Sequence, residues 1–427
     1  MRIPDWLPSR VAGFDTLTPP AQLPPLSTQA IREAFAKSIW PGGRGPSVSE
    51  IPRPGESCCL VVSDQTRRTA ASRVLPVLLE GWQARGVNLR DLFVLVASGI
   101  HRHPAPEELD RILGSECHAR LRGRIFLHDP DDSAALVTVG TTRRGHPVRV
   151  NRRAVEADRL VLLGAATYHY HAGFGGGRKS LVPGLAARET IAYNHSLTLD
   201  PHEDRLDPRV AIGVLDGNPV AEEMLEGARL CKPDLIVNTV LSAAGDLVGV
   251  FSGELDAAHR AACRLVEQVS RVDLAEPADL VIASAGTAQN WVQSHKALFN
   301  ASRAVKENGW IVLWAPCPEG LGNERFRHWV RKPSLAEIYR ELRGAPEVLG
   351  QTALSTRMRG ARAILVTSMP APDAEDLGIE TAPDMDSAIE DALRKLAGRA
   401  SAAPAPTCFV MPDAGSVVPF PSRPGPS

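Results

Sequence analysis

The chain has few aromatic residues, almost no net charge and no long hydrophobic segment. Aromatic residues make up 5% of its 427 positions, and the formal net charge is -1. A nearly neutral chain gives no electrostatic argument for nucleic acid or an anionic membrane as a partner. It also lacks the run of about 18 apolar residues that a transmembrane helix needs, and its first residues do not resemble an export signal. We therefore expect a cytoplasmic protein with a small-molecule ligand.

The cysteines of the chain do not form the sequence patterns of structural metal sites or disulfide frameworks. Seven cysteines occur, and none forms a C-x-x-C pair. Structural zinc sites and disulfide frameworks need clustered or regularly spaced cysteines, so we expect neither. This usage of cysteine fits a reducing compartment.

Short runs rich in leucine and β-branched residues are each followed by polar residues, and often by a helix-like stretch. Examples are CCLVVSDQTRR at 58–68, DLFVLVASGIHRH at 91–103 and ADRLVLLGAATYHYH at 157–171. Alternating strands and helices predict an α/β fold with mainly parallel sheets. In such folds ligands bind beyond the carboxyl ends of the strands, where these polar residues would lie.

Changes in composition divide the chain into two predicted α/β domains. A weak boundary falls at RVDLAEP, residues 271–277, and a small-residue linker, AGRASAAPAPT, covers 397–407. We predict an N-terminal cofactor and catalytic domain over 1–270 and a C-terminal domain over 271–405 that closes over the substrate. Residues 406–427 are predicted to rejoin the first domain. The active site is expected in the cleft between the domains.

The segment TYHYHAGFGGGRKSLVPG, residues 167–184, combines histidines, glycines and two cations. Its central glycines are Gly175, Gly176 and Gly177. Their main-chain N–H groups would be open to an anion, and Arg178 and Lys179 add positive charge, which predicts a phosphate site. A Walker-type loop has glycine directly before the lysine, so we exclude an ordinary ATP or GTP loop. A flexible surface turn is the alternative interpretation.

Several short motifs are spread over most of the chain. They are SDQTR at 63–67, GIHR at 99–102, HYHAGFGGGRK at 169–179, PG at 183–184, NH at 194–195, DGNPVAEEM at 216–224 and QSHK at 293–296. Lys179 follows His169 by ten positions and precedes His195 by sixteen. In motifs and spacing the chain resembles the nickel-dependent lactate racemases and their 2-hydroxy-acid racemase and epimerase relatives.

The resemblance implies an isomerase that inverts C2 of a 2-hydroxy acid by proton-coupled hydride transfer. Lys179 would carry the nickel-pincer nucleotide, a pyridinium-3-thioamide-5-thiocarboxylic acid mononucleotide, in covalent linkage. The loop of Gly175, Gly176 and Gly177 would hold its phosphate region, and His195 would be the protein ligand of nickel. Cofactor-synthesis proteins would then be required for maturation.

The resemblance also assigns the acid and base groups. His101 and His169 match the pair of histidines that serve the two enantiomers. His171 competes with His169 for this role, but only His169 has the family's spacing, so we expect His171 to support it. Asp64 has three interpretations: it orients Arg67, holds the cofactor ribose, or caps the end of a strand.

Three residues match the family's positions for the substrate carboxylate. Arg67 can form two parallel hydrogen bonds with a carboxylate. Gln293 and Lys296 would approach from the second domain.

Departures from the family pattern bear on the substrate. Arg68 stands where proline is usual, and Val292 stands where the lactate-active members carry tyrosine. The segment TAQNWVQ at 287–293 has no cation, so we expect a monocarboxylic acid with an apolar or neutral side chain. A polyhydroxy sugar acid is the main alternative. His295, Arg68 or Arg178 could still supply the charge for a second carboxylate.

Two other kinds of function stay open. The first is a different small-molecule enzyme, such as a zinc hydrolase or a nicotinamide dehydrogenase, which would have no covalent adduct on Lys179. The second is a non-catalytic cofactor-binding relative. It would hold nickel and cofactor but would not exchange any 2-hydroxy acid.

Overall fold

The structure, a computed structural model, describes residues 1–398 and 404–422. The chain forms two compact units: one is Gln22–Gln268, and the other combines Met1–Ala21 with the described residues from Val269 onward. Both are α/β, and their main sheets are largely parallel, which confirms the predicted fold class. In the described part of the chain, no helix has the length and apolar character needed to cross a membrane.

The strands follow one another along the described chain with helices between most of them. They are β1 (Gly13–Thr16), β2 (Cys58–Ser63), β3 (Leu92–Ala97), β4 (Ile125–Leu127), β5 (Leu136–Thr141), β6 (Pro147–Asn151), β7 (Arg159–Ala165), β8 (Tyr168–His169), β9 (Gly173–Phe174), β10 (Leu235–Leu241), β11 (Leu247–Gly253), β12 (Arg271–Leu274), β13 (Ala278–Ser284), β14 (Val305–Trp314), β15 (Ala363–Val366), β16 (Glu380–Thr381), β17 (Thr407–Met411) and β18 (Val418–Pro421).

The α-helices range from short connecting turns to helices of several turns. They are α1 (Thr28–Ala36), α2 (Ala71–Ala84), α3 (Pro106–Leu113), α4 (Ser115–Arg120), α5 (Arg152–Glu156), α6 (Arg188–Ser196), α7 (Pro219–Leu230), α8 (Ala257–Ser270), α9 (Trp291–Ser302), α10 (Glu324–Val330), α11 (Leu335–Gly344), α12 (Val348–Gly360), α13 (Ala371–Leu377) and α14 (Met385–Ala397). Short 3-10 helices lie at Leu7–Arg10, Pro41–Gly43, Val48–Glu50, Leu89–Asp91 and Gly177–Ser180.

The sheet of the Gln22–Gln268 unit has the strand order β11-β10-β7-β2-β3-β4. All neighbours are parallel except β10 and β11, which pair antiparallel. The central strands are continuous apolar runs because both of their faces are covered, and Cys58 to Val62 of β2 are all buried. The segments after β2, β3 and β7 therefore leave the same edge of the sheet. They carry the candidate residues Asp64, His101 and His169.

The sheet of the other unit corrects the predicted course of the C-terminal segment. Its order is β1-β17-β13-β14-β15-β16, so β17 lies between β1 and β13. Residues 404–422 belong to this unit and do not rejoin the first domain, because β17 pairs in parallel with β13 and buries its apolar run there. The predicted linker lies partly outside the described residues, at 399–403, and the last residues of the chain, 423–427, lie outside them as well.

A charged cluster ties together the amino ends of three central strands of the Gln22–Gln268 unit. Arg159, at the start of β7, donates to Glu56 at 2.7 and 2.6 Å and to Asp234 at 2.8 Å. Asp234 also accepts from the main-chain N–H of Leu160 at 2.8 Å. The hydrogen bonds from Arg159 are the main reason that the pKa of Glu56 falls from 4.5 to about 2.

Glu56→Gln tests this cluster through the pH dependence of stability. Because the pKa of Glu56 is lower in the folded protein, its stabilising effect is present above about pH 4.5 and is lost as the pH falls towards 2. We expect the variant to unfold at lower denaturant than the wild type at pH 7, and by a smaller margin at pH 3. Glu156→Gln, at an exposed i,i+4 pair with Arg152, is the control and should change little. A pH-independent deficit in Glu56→Gln would contradict the assignment.

Candidate active site

Asp64 and His101 form a hydrogen-bonded pair beyond the ends of β2 and β3. Asp64 is buried, and its Oδ2 lies 2.6 Å from Nδ1 of His101. Its Oδ1 accepts from the main-chain N–H and the hydroxyl of Thr66 at 3.0 and 2.6 Å. Burial alone would raise the pKa of Asp64, but the hydrogen bonds from His101 and Thr66 and the charge of Arg67 hold it below its usual value.

This pairing decides where the proton of His101 lies. An ionised carboxylate only accepts, so Nδ1 of His101 must donate to it, and Nε2 of the neutral ring then carries the lone pair. The His101 side chain is 37% exposed, whereas that of Asp64 is 2% exposed. His101 is therefore an oriented base that solvent or a ligand can reach. Asp64 thus orients His101, a role beyond the three predicted ones, and it also caps the end of the strand through Thr66. Its contacts with Arg67 and with the ribose stay predictions.

In His169, unlike His101, Nδ1 accepts hydrogen bonds and does not donate one. It lies in β8, which pairs antiparallel with β9. The main-chain N–H groups of His171 and Ala172 donate to its Nδ1 at 3.2 and 3.1 Å. A nitrogen that accepts these bonds cannot carry a proton, so the neutral ring of His169 is protonated at Nε2. His171 is buried, and its supporting role stays a prediction.

The glycine loop is packed against the sheet, and most of its N–H groups are already bonded. Gly175 donates to the carbonyl of Thr167 at 2.7 Å, and Gly177 donates to Oδ1 of Asn238 at 2.9 Å. The prediction that these N–H groups are open to an anion is therefore wrong for Gly175 and Gly177. The glycines serve close packing: a Cβ on Gly177 would lie 2.8 Å from Cγ1 of Ile236 in β10.

Two buried polar residues hold this loop from the side of the sheet and α8. Asn238 in β10 accepts from Gly177, and Nε2 of His259 in α8 donates to the carbonyl of Gly175 at 2.7 Å. Burial holds the pKa of His259 well below its usual value, so the ring is neutral. Gly176 has a φ of +140° and approaches the His259 ring so closely that a side chain would overlap it.

Gly184 joins the loop that carries Lys179 to the segment that carries His101. Its N–H donates to the carbonyl of Lys179 at 2.8 Å, and its carbonyl accepts from Gly99 at 2.9 Å. A Cβ at this position would lie 2.6 Å from the carbonyl oxygen of Ser180. Only glycine fits here, so the PG motif has a structural role between the two functional segments.

Lys179 and His195 lie near each other in this unit. His195 is in the last turn of α6, and its Nδ1 donates to the carbonyl of Ile191 at 2.8 Å. Burial, and to a lesser extent the positive charge of Lys179, lowers the pKa of His195 to about 4. The ring is therefore neutral at pH 7, and Nε2 carries the lone pair that a metal ligand needs.

The remaining predicted cations and amides differ in exposure. Arg178 is 1% exposed, so it does not lie beside an anion site on the surface. Arg67 is exposed directly after Thr66. Gln293 and Lys296 belong to the other unit, where they share an exposed face of α9. Their approach to the substrate stays a prediction.

Asn238 and His259 are the residues that sequence reasoning missed. Asn238 is the polar member of the apolar run LIVNTVL of β10, and such a buried amide needs hydrogen bonds that its own strand does not supply. The polar Asn238 within this apolar run was the feature of the sequence that could have indicated a functional residue. His259, in AAHRAAC, gave none, because a histidine in a helix is as often exposed as buried.

His259→Leu tests the hold on the glycine loop. The substitution keeps much of the volume but leaves the buried carbonyl of Gly175 without a donor, which costs about 1–3 kcal/mol. We expect amide hydrogen exchange across residues 173–180 to accelerate about ten- to hundredfold, measured by mass spectrometry. His118→Gln, at a surface pair with Asp110, should leave this exchange unchanged. Unaltered exchange in His259→Leu would show that the hydrogen bond does not hold the loop.

Comparison with known proteins places these features in a family. The lactate racemase N-terminal domain matches residues 17–206, and the lactate racemase C-terminal domain matches residues 274–418. A lactate racemase from Thermoanaerobacterium thermosaccharolyticum is 32% identical over 276 residues, which span 64% of this chain and 63% of that protein. A lactate racemase from Lactiplantibacillus plantarum is 31% identical over 300 residues, which span 70% of this chain and 69% of that protein.

Solved structures share the fold. The lactate racemase apoprotein from T. thermosaccharolyticum superposes with a TM-score of 0.82 at 24% identity, over 98% of this chain and 97% of the other. A crystal structure of a Thermotoga maritima protein gives a TM-score of 0.68 at 18% identity, over 94% of this chain and 100% of the other. With both domains matched and a relative above 30% identity aligned over two thirds of either chain, this protein belongs to the lactate racemase family.

Proposed function

We propose that this protein is a racemase or epimerase that inverts C2 of a 2-hydroxy acid. The observation that carries the proposal is the oriented base His101, held by Asp64 and linked through Gly184 to the loop of Lys179. A base, a lysine and a neutral histidine thus belong to one connected set of segments within a single unit. The relatives' names supply the class of reaction.

The chemistry of His101 follows from its hydrogen bond. With Nδ1–H donated to Asp64, Nε2 can take the proton of a substrate hydroxyl. The imidazolium that forms is stabilised by the buried carboxylate, which stays ionised. Asp64 therefore acts by fixing the ring and by balancing its charge.

His169 would serve the opposite face, but it starts from a different proton position. Its Nδ1 accepts from two main-chain N–H groups, so Nε2 carries the proton of the neutral ring. Nε2 can take a substrate proton only after the ring turns away from these groups and its own proton moves to Nδ1. Before such a turn the ring can only donate a hydrogen bond from Nε2. The two histidines are thus a pair with unequal resting states.

Arg67 would bind the substrate carboxylate. Arg67 lies three residues after Asp64 in the sequence and is exposed. Its planar guanidinium can make two parallel hydrogen bonds with a carboxylate. Gln293 and Lys296, exposed three residues apart on α9, are the other residues that we assign to the substrate carboxylate. The carboxylate would then be held while the hydroxyl meets His101 or His169.

The residues present fit a lysine-tethered nickel-pincer nucleotide. Lys179 would form the covalent link, and the neutral, buried His195 would be a nickel ligand. In the described part of the chain, no group of three or more His, Cys, Asp or Glu side chains could hold a metal ion, so the other ligands would come from the nucleotide. When bound, this group supplies a hydride acceptor, which the side chains of the protein lack. Maturation would require cofactor-synthesis proteins.

Intact mass and nickel content test the assignment of Lys179 and His195. The protein is co-expressed with a cofactor-synthesis pathway, and we expect an adduct and nickel in the wild type. Lys179→Ala should have no adduct, whereas His195→Ala should keep part of the adduct but lose nickel. The exposed Lys37→Ala variant is the control and should match the wild type. Normal nickel in His195→Ala, or full activity of unmodified protein, would contradict the proposal.

Interconversion of enantiomers tests the two histidines. Each turnover uses one histidine as the base and the other as the acid, so His101→Ala and His169→Ala should each lower the rate in both directions by about 10²–10⁴-fold. Adduct and nickel should persist in both variants. His118→Ala, on the surface of α4, is the control. An inactive His171→Ala together with an active His169→Ala would exchange the roles of those two residues.

A further inference from the structure

Arg68, Arg178 and His295 are the predicted sources of positive charge for a second substrate carboxylate. The structure excludes Arg178 and His295 from this role. Arg178 is 1% exposed and His295 is 5% exposed. Burial, with a smaller effect of Lys296, lowers the pKa of His295 to about 3, so the ring is neutral at pH 7. Arg68 is exposed. It is the one residue of the three that can meet a ligand as a cation.

The Arg68 side chain packs against a turn of the main chain. Its guanidinium lies over Gly245, in the turn between β10 and β11, so closely that a Cβ at Gly245 would overlap Nη2. Gly245 has a φ of +90°, and its N–H donates to the carbonyl of Ser242 at 2.9 Å, which holds the turn in place. Among the residues described, neither the guanidinium of Arg67 nor that of Arg68 has a hydrogen-bond or ion-pair partner.

A cavity of about 230 Å³ opens beside these two arginines. Arg67, Arg68 and Ser72 border it from the start of α2, and Glu108 and Arg111 border it from α3. It is smaller than the roughly 300–1,000 Å³ of sites for drug-sized molecules, so it suits a group of a few carbons. All of these residues belong to the Gln22–Gln268 unit.

The charges around the cavity favour an anion. Three arginines face one carboxylate, Glu108, which already accepts two hydrogen bonds from Arg102 at 2.6 and 2.7 Å. Arg111 approaches Glu108 only to 3.7 Å. The positive end of the α2 dipole adds to the same field, and Ala70 at the N-cap makes no side-chain hydrogen bond to the first turn.

Two neutral polar groups of the cavity are occupied, whereas Oε1 of Gln65 is buried without a hydrogen-bond partner. Thr69 accepts from the N–H of Ala71 at 3.3 Å, and the amide of Gln65 donates to the carbonyl of Arg102 at 3.2 Å. A polyhydroxy chain could donate to Oε1 of Gln65, but it would leave the two cations of Arg67 and Arg68 uncompensated. A carboxylate would satisfy them directly.

We infer that this cavity binds a second carboxylate and that the substrate is a 2-hydroxy diacid, with Arg67 holding one carboxylate and Arg68 the other. The inference rests on the proposed function for the reaction at C2. It replaces the prediction that the substrate has an apolar or neutral side chain. That prediction rests on the lack of a cation in the segment before Gln293, whereas Arg68 lies outside this segment. Arg68, the residue that departs from the family's proline, is then a specificity residue.

Racemisation of a panel of acids by the cofactor-loaded enzyme tests the inference. Enantiopure lactate, 2-hydroxybutyrate, malate, 2-hydroxyglutarate and gluconate are followed by chiral chromatography. We expect kcat/KM to be at least about tenfold higher for a diacid than for lactate. Arg68→Gln should lower the value for the diacid about ten- to hundredfold and change the value for lactate little. Arg122→Gln, an exposed arginine outside the cavity, should behave as the wild type.

Calorimetric binding to the unloaded protein separates the inference from the proposed function. Malate or 2-hydroxyglutarate should bind more tightly than lactate, and Arg68→Gln should remove the difference. If no acid is racemised but this difference in binding is present, the proposed reaction is wrong and the cavity is still a site for a second carboxylate. A preference for lactate, its alkyl homologues or gluconate, or an equal effect of Arg68→Gln on all acids, would overturn the inference.

Discussion

The candidate site depends on the close main-chain approach of the glycine loop to β7 and β10. A Cβ on Gly164 would lie 2.8 Å from Cα of Gly177, so neither position has room for a side chain. Because the loop lies directly on the sheet, Asn238 can reach its N–H group and His259 its carbonyl. The loop is held by packing and by two buried hydrogen bonds, and the lysine that follows is placed accordingly.

The partners of three histidines give them different chemistry. His101 donates to a carboxylate, His195 donates to a carbonyl, and His169 accepts from main-chain N–H groups. The first ring is thus prepared to take a proton, the second to bind a metal, and the third to donate until it turns. The roles proposed for the three rings differ because the atom opposite Nδ1 differs, and in each case that atom comes from the local backbone or from a neighbouring strand end.

Several features were predictable from short-range patterns, and others were not. The apolar runs of β2, β3 and β7 predicted parallel strands, and the polar residues after them predicted the edge where the site lies. The position of β17 was not predictable, because Thr407–Met411 would suit any open strand edge, and pairing with β13 is a choice among distant partners. The glycines were recognised as necessary, but for the wrong reason, since composition does not say which N–H groups are already bonded.

The sequence by itself determined the fold class, the family and the spacing of Lys179 from the histidines, because strand patterns and motifs are local. Only the tertiary structure decided which proton each histidine carries, that Asp64 serves His101, and that Arg68 is accessible whereas Arg178 and His295 are buried. The physical reason is that proton positions and effective charges depend on hydrogen-bond partners and burial. Both are set by residues far away in the chain, such as Gly245 beneath Arg68.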